Sequence, residues 1–103
     1  MEEEENEILR QAIAAYGKNE QSRVAMEELA ELIRAINKYH RAKTDEHRQN
    51  LIEEMADVYI MLYHISIVCD ISIEKEIGPA LGKKITRLLE RLEAEDNAEN
   101  GNT

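Results

Sequence analysis

The chain has 103 residues, and 43% of them are hydrophobic, which is enough for the core of one small domain. The 22 acidic residues outnumber the 13 basic ones and give a formal net charge of −9. Because binding to nucleic acid needs a basic face, we expect no nucleic-acid partner, whereas divalent cations are plausible ligands. A single cysteine, Cys69, excludes an internal disulfide framework and a cysteine-based zinc cluster.

Neither the N-terminus nor the most apolar stretch of the chain suggests export or membrane insertion. The chain starts with Met1 and four glutamates, the opposite of the basic start of a signal peptide. The longest nearly apolar stretch, Val58 to Cys69, is too short to span a bilayer. We therefore expect a cytoplasmic protein with no membrane partner.

Helices dominate the predicted secondary structure. With only four glycines and one proline, the composition favours long helices over a many-turned β domain. The first helix is predicted from about Glu3 to Tyr16, with Gly17 as its C-cap. The second is predicted over about 20–40 after an N-cap at Asn19.

A polar connection then leads to a third helix over about 46–69, capped by Thr44 or Asp45. After a turn over about 70–78, Pro79 suits the first turn of a fourth helix. The sequence therefore predicts an all-α domain over residues 1–95, followed by a disordered tail over 96–103 that has nothing to bury. Beyond Val58 the third helix is apolar almost all round, which favours a subunit interface as well as an internal core.

Acidic residues recur at helical spacing on the second and third helices. Residues three apart share a helix face, so Glu28 and Glu31 point the same way, as do Glu54 and Asp57. In an antiparallel hairpin whose midpoint lies between Ala42 and Lys43, inside the connection predicted over 41–45, Glu28 is level with Asp57. By the same register Glu31 is level with Glu54. Four carboxylates are thus predicted to converge, with Glu27 and Glu53 alongside.

Such a cluster favours a hard divalent cation. Buried ionised carboxylates must be paired or metal-bound, and oxygen ligands suit Mg²⁺, or Mn²⁺ in its place. A di-iron site would need Glu-x-x-His pairs, and none of His40, His47 and His64 has a glutamate three positions before it. On the pattern alone, a solvated acidic face remains the alternative.

The order Glu-Glu-x-x-Glu followed by Glu-x-x-Asp resembles the signature of the MazG-type, all-α nucleoside triphosphate pyrophosphohydrolases. The first motif is Glu27, Glu28 and Glu31, and 22 residues separate Glu31 from Glu54 of the second. The resemblance spans roughly Ala15 to Leu92 and includes Lys84-Ile85-Thr86-Arg87.

This resemblance implies a four-helix up-down bundle that forms a homodimer or homotetramer through its hydrophobic helices. It implies Mg²⁺-dependent hydrolysis of a nucleoside triphosphate between the α and β phosphates, giving a monophosphate and pyrophosphate. By position, Glu27 would be a further metal ligand or would orient or deprotonate the attacking water, and Lys84 and Arg87 would contact phosphate. The metal ligands implied are Glu28, Glu31, Glu54 and Asp57.

Two alternatives remain open at the level of sequence. The same superfamily includes phosphoribosyl-ATP and dUTP pyrophosphatases, which share the chemistry but not the substrate. A different class of function is a non-catalytic helical interaction module with a structural metal site. Such a module would gain thermal stability from Mg²⁺ without turning over any nucleotide.

Overall fold

The computed structural model describes residues 1–101 and divides into two compact units, Met1–Ile71 and the segment from Ser72 onward. Four long α-helices account for most of the described chain, which contains no β-strand over residues 1–101. The predicted all-α class is therefore confirmed. Their bounds are α1 Glu3–Tyr16, α2 Lys18–Arg41, α3 Asp45–Val68 and α4 Gly78–Gly101.

Gly17 separates the first two helices. Its φ of 88° lies in the region that glycine adopts without strain, and its N–H donates to the carbonyl of Ile13 at 2.8 Å, so it closes α1 as predicted. The same residue also precedes α2, which begins at Lys18. The prediction of Asn19 as the N-cap of the second helix is wrong, because the chain re-enters helical geometry directly after the glycine.

A three-residue connection, Ala42 to Thr44, joins α2 to α3 and turns them into a hairpin. Thr44 is the N-cap of α3, and its hydroxyl accepts a hydrogen bond from the N–H of His47 at 3.1 Å. The facing surfaces of the hairpin contain Ala25 and Ala35, which are only 2% and 1% exposed. Because both side chains are small, they allow the two helix backbones to pack closely.

The core of the first unit is small. Helix α1 packs against both α2 and α3. Its Leu9 and Ile13 are buried, as are the two alanines of α2 and Met61 of α3. His64 of α3 is also buried, and neither of its ring nitrogens has a hydrogen-bond partner among the described residues. Burial lowers the pKa of His64, so the neutral imidazole is favoured in the folded chain.

One side of the α2–α3 hairpin exposes two apolar stripes. The exposed residues lie one position after residues that face the other helix, as Met26 follows Ala25 and Ile36 follows Ala35. Because the two helices run antiparallel, this one-residue step turns both stripes to the same side of the hairpin. The exposed fractions are large, 62% for Ile33 and 64% for Tyr59. This apolar surface consists of Met26, Leu29, Ile33 and Ile36 of α2 with Ile52, Met55, Tyr59 and Leu62 of α3.

The second unit contains a π-helical turn, Ile73–Ile77, that leads directly into α4. Ser72 caps this turn by accepting a hydrogen bond from the N–H of Lys75 at 3.0 Å. Pro79 lies in the first turn of α4, as predicted, where a missing N–H costs nothing. Within α4 an exposed apolar stripe is formed by Leu81, Ile85, Leu88 and Leu92.

Helix α4 extends to Gly101, so residues 96–101 are helical where the sequence predicted a disordered tail. Glu, Asp, Asn and Ala at 93–99 include no proline or β-branched residue that would stop a helix already under way. Residues 102 and 103 of that predicted tail lie outside the described part of the chain.

No single described helix is both long and apolar enough to cross a bilayer, and α3 with the segment from Ile73 meets that criterion only as a bent pair, by length and composition.

The Thr44 cap predicts a measurable stability contribution. Replacing Thr44 by Ala leaves the first turn of α3 without its side-chain acceptor, and we expect the free energy of unfolding to fall by ~1 kcal/mol. Urea denaturation followed by circular dichroism measures this loss. Thr44→Ser, which keeps the hydroxyl, is the matched control and should stay close to wild type. Equal stability of the Ala and Ser variants would contradict the capping role.

Candidate metal centre

Three carboxylates meet between α2 and α3. Glu28 lies on α2, and Glu54 and Asp57 lie one turn apart on α3. Each residue contributes one carboxylate oxygen, and these three oxygen atoms all lie within 4.8 Å of one another. Helical spacing and the short connection produce this meeting, because they set Glu28 level with Asp57. The structure thus brings together three of the four predicted metal ligands.

The group is partly buried and electrostatically unbalanced. Burial raises the pKa of Glu28, and the nearby charges of Asp57 and Glu54 raise it further. The Oε2 atom of Glu54 is buried and has no hydrogen-bond partner among the described residues. An acceptor in that position normally has a donor or a cation as its partner. A bound cation would therefore stabilise this group of carboxylates.

Glu31 lies outside this three-residue group. It is half-exposed and forms an ion pair with Arg34, one turn farther along α2. The hydrogen bond from Arg34 lowers the pKa of Glu31, the reverse of the shift at Glu28. Glu31 as a metal ligand stays a prediction.

Glu27 is also held by an arginine. Arg23 donates to a carboxylate oxygen of Glu27 at 2.5 Å and pairs as well with Glu20. The side chain of Glu27 is more than half exposed, on the face of α2 that points away from the apolar surface. On α3, Glu53 accepts from Gln49 at 3.5 Å. Of the acidic residues flanking the group, both glutamates of α2 are thus charge-paired.

Both basic residues predicted to contact phosphate belong to the second unit. Lys84 and Arg87 lie one turn apart on α4 and are exposed. Their predicted role is not tested by the geometry of either unit.

Sequence reasoning missed the two arginines of α2. Arg23 is four residues before Glu27 and Arg34 is three residues after Glu31, which are spacings at which opposite charges meet on a helix. That spacing is the signal by which both pairs are visible in the sequence. The spacing predicts that each arginine can contact its glutamate. It does not predict whether that glutamate pairs with the arginine or binds a metal ion.

The raised pKa of Glu28 predicts an effect on the metal-free protein. The folded state holds this proton more tightly than the unfolded state, whose Glu28 titrates near the ordinary value of 4.5. The resulting stability is present below that pH and is lost as the pH rises through the raised pKa. At pH 7 with EDTA, we therefore expect Glu28→Gln to melt a few degrees above wild type, and the difference to narrow toward pH 4.

Glu31→Gln is the matched control for that comparison. It removes one carboxylate from the same helix, but it also breaks the ion pair with Arg34, so it should not raise the melting temperature. If Glu28→Gln melted no higher than wild type at pH 7, the proposed destabilisation of the charged Glu28 by burial and by its acidic neighbours would be wrong.

Comparison with known proteins gives one match. The family model of the MazG nucleotide pyrophosphohydrolase domain matches residues 17–92, a range that contains the three clustered carboxylates and the basic pair of α4. Searches of curated proteins and of solved structures give no significant match. Since the matched range covers well over half of the chain and the helical fold agrees with it, the chain belongs to the MazG nucleotide pyrophosphohydrolase domain family.

Proposed function

We propose that the protein is a Mg²⁺-dependent nucleoside triphosphate pyrophosphohydrolase. The reaction would cleave the bond between the α and β phosphates and release a nucleoside monophosphate and pyrophosphate. The observation that carries the proposal is the convergence of Glu28, Glu54 and Asp57 from two helices, in a chain of the MazG family. A nucleotide substrate and hydrolysis of an acid anhydride follow from the family.

The residues present fit a hard divalent cation. The group offers only carboxylate oxygens, which are the ligands that Mg²⁺ and Mn²⁺ prefer. The unpartnered Oε2 of Glu54 and the raised pKa of Glu28 are both features that a bound cation would relieve. We therefore propose these three residues as metal ligands and Glu31 as a fourth, provided by rotation of its exposed side chain.

The metal would supply Lewis-acid stabilisation of phosphate oxygens and would lower the pKa of a bound water. The chain's own residues supply position and charge around that centre. Glu27, beside the group on α2, would orient or deprotonate the attacking water. Lys84 and Arg87 would neutralise phosphate oxygens, since an acidic pocket alone repels a triphosphate.

The activity assay measures release of pyrophosphate and monophosphate from a panel of canonical and modified nucleoside triphosphates with Mg²⁺. We expect wild type to turn over at least one of them, and Glu54→Gln or Asp57→Asn to lower kcat/KM by about 100-fold or more, because the metal contributes several kcal/mol of transition-state stabilisation. Circular dichroism should show an intact helical fold in both variants.

Glu53→Gln is the matched control, because Glu53 neighbours Glu54 but is not one of the three clustered carboxylates and accepts a hydrogen bond from Gln49. Its activity should remain within a factor of about two of wild type. Phosphoribosyl-ATP and dUTP belong in the panel, since a strong preference for either would assign the chain to one of those relatives' activities. Absence of pyrophosphate release across the whole panel, with Mg²⁺ raising only the melting temperature, would support a non-catalytic module instead.

We also propose that the protein is a homodimer or homotetramer. The apolar surface of the hairpin and the apolar stripe of α4 leave many large hydrophobic side chains in solvent. Large contiguous apolar patches on the surface of a soluble protein mark interaction surfaces. A chain of 103 residues buries a limited share of its surface alone, so association of like copies is an efficient way to cover these faces.

Ile33 lies near the middle of the α2 stripe and tests this association. We expect wild type to elute as a dimer or tetramer in size-exclusion chromatography with light scattering, and Ile33→Glu to shift it toward monomer, because a charge cannot be buried unpaired at an interface. Lys38→Glu reverses a charge on a different face of the same helix and should leave the mass unchanged. A wild-type monomer at high concentration would contradict the proposal.

A further inference from the structure

The ion pair between Arg34 and Glu31 lies beside the carboxylate group and has no assigned role. Arg34 donates to Glu31, and the charge of Glu54 also acts on Arg34, so the guanidinium lies within electrostatic reach of the group itself. Arg23, the other paired arginine of α2, differs in this respect. Arg23 has two carboxylate partners, Glu20 and Glu27, and none of the charges acting on it comes from the three clustered residues.

The ion pair between Arg34 and Glu31 is weak enough to be exchanged for other partners. Both side chains are about half exposed, and an ion pair in that setting contributes little to stability. Glu31 and Arg34 both reach their positions by rotation of long side chains on one face of α2, so they can separate without moving the helix. The competition is also direct, because a carboxylate held by a guanidinium is not free to bind a cation.

We propose that Arg34 is an exchangeable counter-ion of the site, which holds Glu31 in the metal-free chain and turns to a phosphate oxygen of the substrate when Glu31 ligates the cation. This inference rests on the proposed function. It makes Arg34 a phosphate-binding residue in addition to the two on α4.

Charge balance supports the exchange. Four ionised carboxylates around one divalent cation leave a net negative centre, and a polyphosphate adds further negative charge. A planar guanidinium released at that point finds two acceptor oxygens in the fork geometry that arginine prefers. Arg34 belongs to the same Met1–Ile71 unit as the three clustered carboxylates and already pairs with Glu31.

The inference predicts that two affinities change in opposite directions. Titration calorimetry with Mn²⁺ alone should show Arg34→Gln binding the metal about three- to tenfold more tightly than wild type, since Glu31 is no longer held. With Mn²⁺ saturating, imidodiphosphate should bind about tenfold more weakly to Arg34→Gln than to wild type. A residue with a merely structural role would move both affinities in the same direction or neither.

Lys38→Gln is the matched control. It removes the same charge from α2, but Lys38 acts on Glu31 through charge at a distance and not through the hydrogen bond that Arg34 makes. We expect its Mn²⁺ affinity to change by less than a factor of about two, and Arg34→Lys to recover part of the imidodiphosphate affinity.

The outcomes separate this inference from the proposed function. If Arg34→Gln and Lys38→Gln gave equal changes in Mn²⁺ affinity, or if imidodiphosphate affinity did not fall, Arg34 would not be the exchanging residue, while the metal centre itself would stand. If wild type bound no Mn²⁺ at all, the metal centre would fail and the exchange with it.

Discussion

Repulsion among carboxylates held close together is the constraint on which the rest of this molecule depends. Two helices of 24 residues each place Glu28 opposite Asp57 and Glu54, and the near-complete burial of Ala25 and Ala35 keeps the backbones close on either side. The cost of this arrangement is visible in the pKa of Glu28, which is raised by burial and then by the charges of Asp57 and Glu54, and in the unpartnered oxygen of Glu54. A cation at this point would turn that cost into binding energy.

The charges of α2 fall into two classes. Glu28 faces α3 and is grouped with two other acids, Glu54 and Asp57, whereas Glu27 and Glu31 form ion pairs with arginines of the same helix. This division suits the proposed metal site, in which Glu28 would bind the cation and the outer glutamates would exchange their arginine partners for roles at the site.

Much of this arrangement was predictable from the sequence because it depends on helical periodicity and on one short connection. The level of Glu28 with Asp57 follows from those two facts, and the Thr44 cap and the Gly17 break follow from residue type. The pairing of Glu31 with Arg34 was not predictable, because an exposed glutamate side chain can reach several partners at nearly equal energy. Periodicity places Glu31 on the correct face but does not decide between a metal and Arg34.

The most direct test of the central claim is a crystal structure of the protein with Mn²⁺, using anomalous scattering to locate the ion. The account predicts an anomalous peak between α2 and α3, coordinated by oxygen atoms of Glu28, Glu54 and Asp57 at about 2.0–2.3 Å. Mn²⁺ bound elsewhere, or these three side chains turned away from one another into solvent, would contradict it.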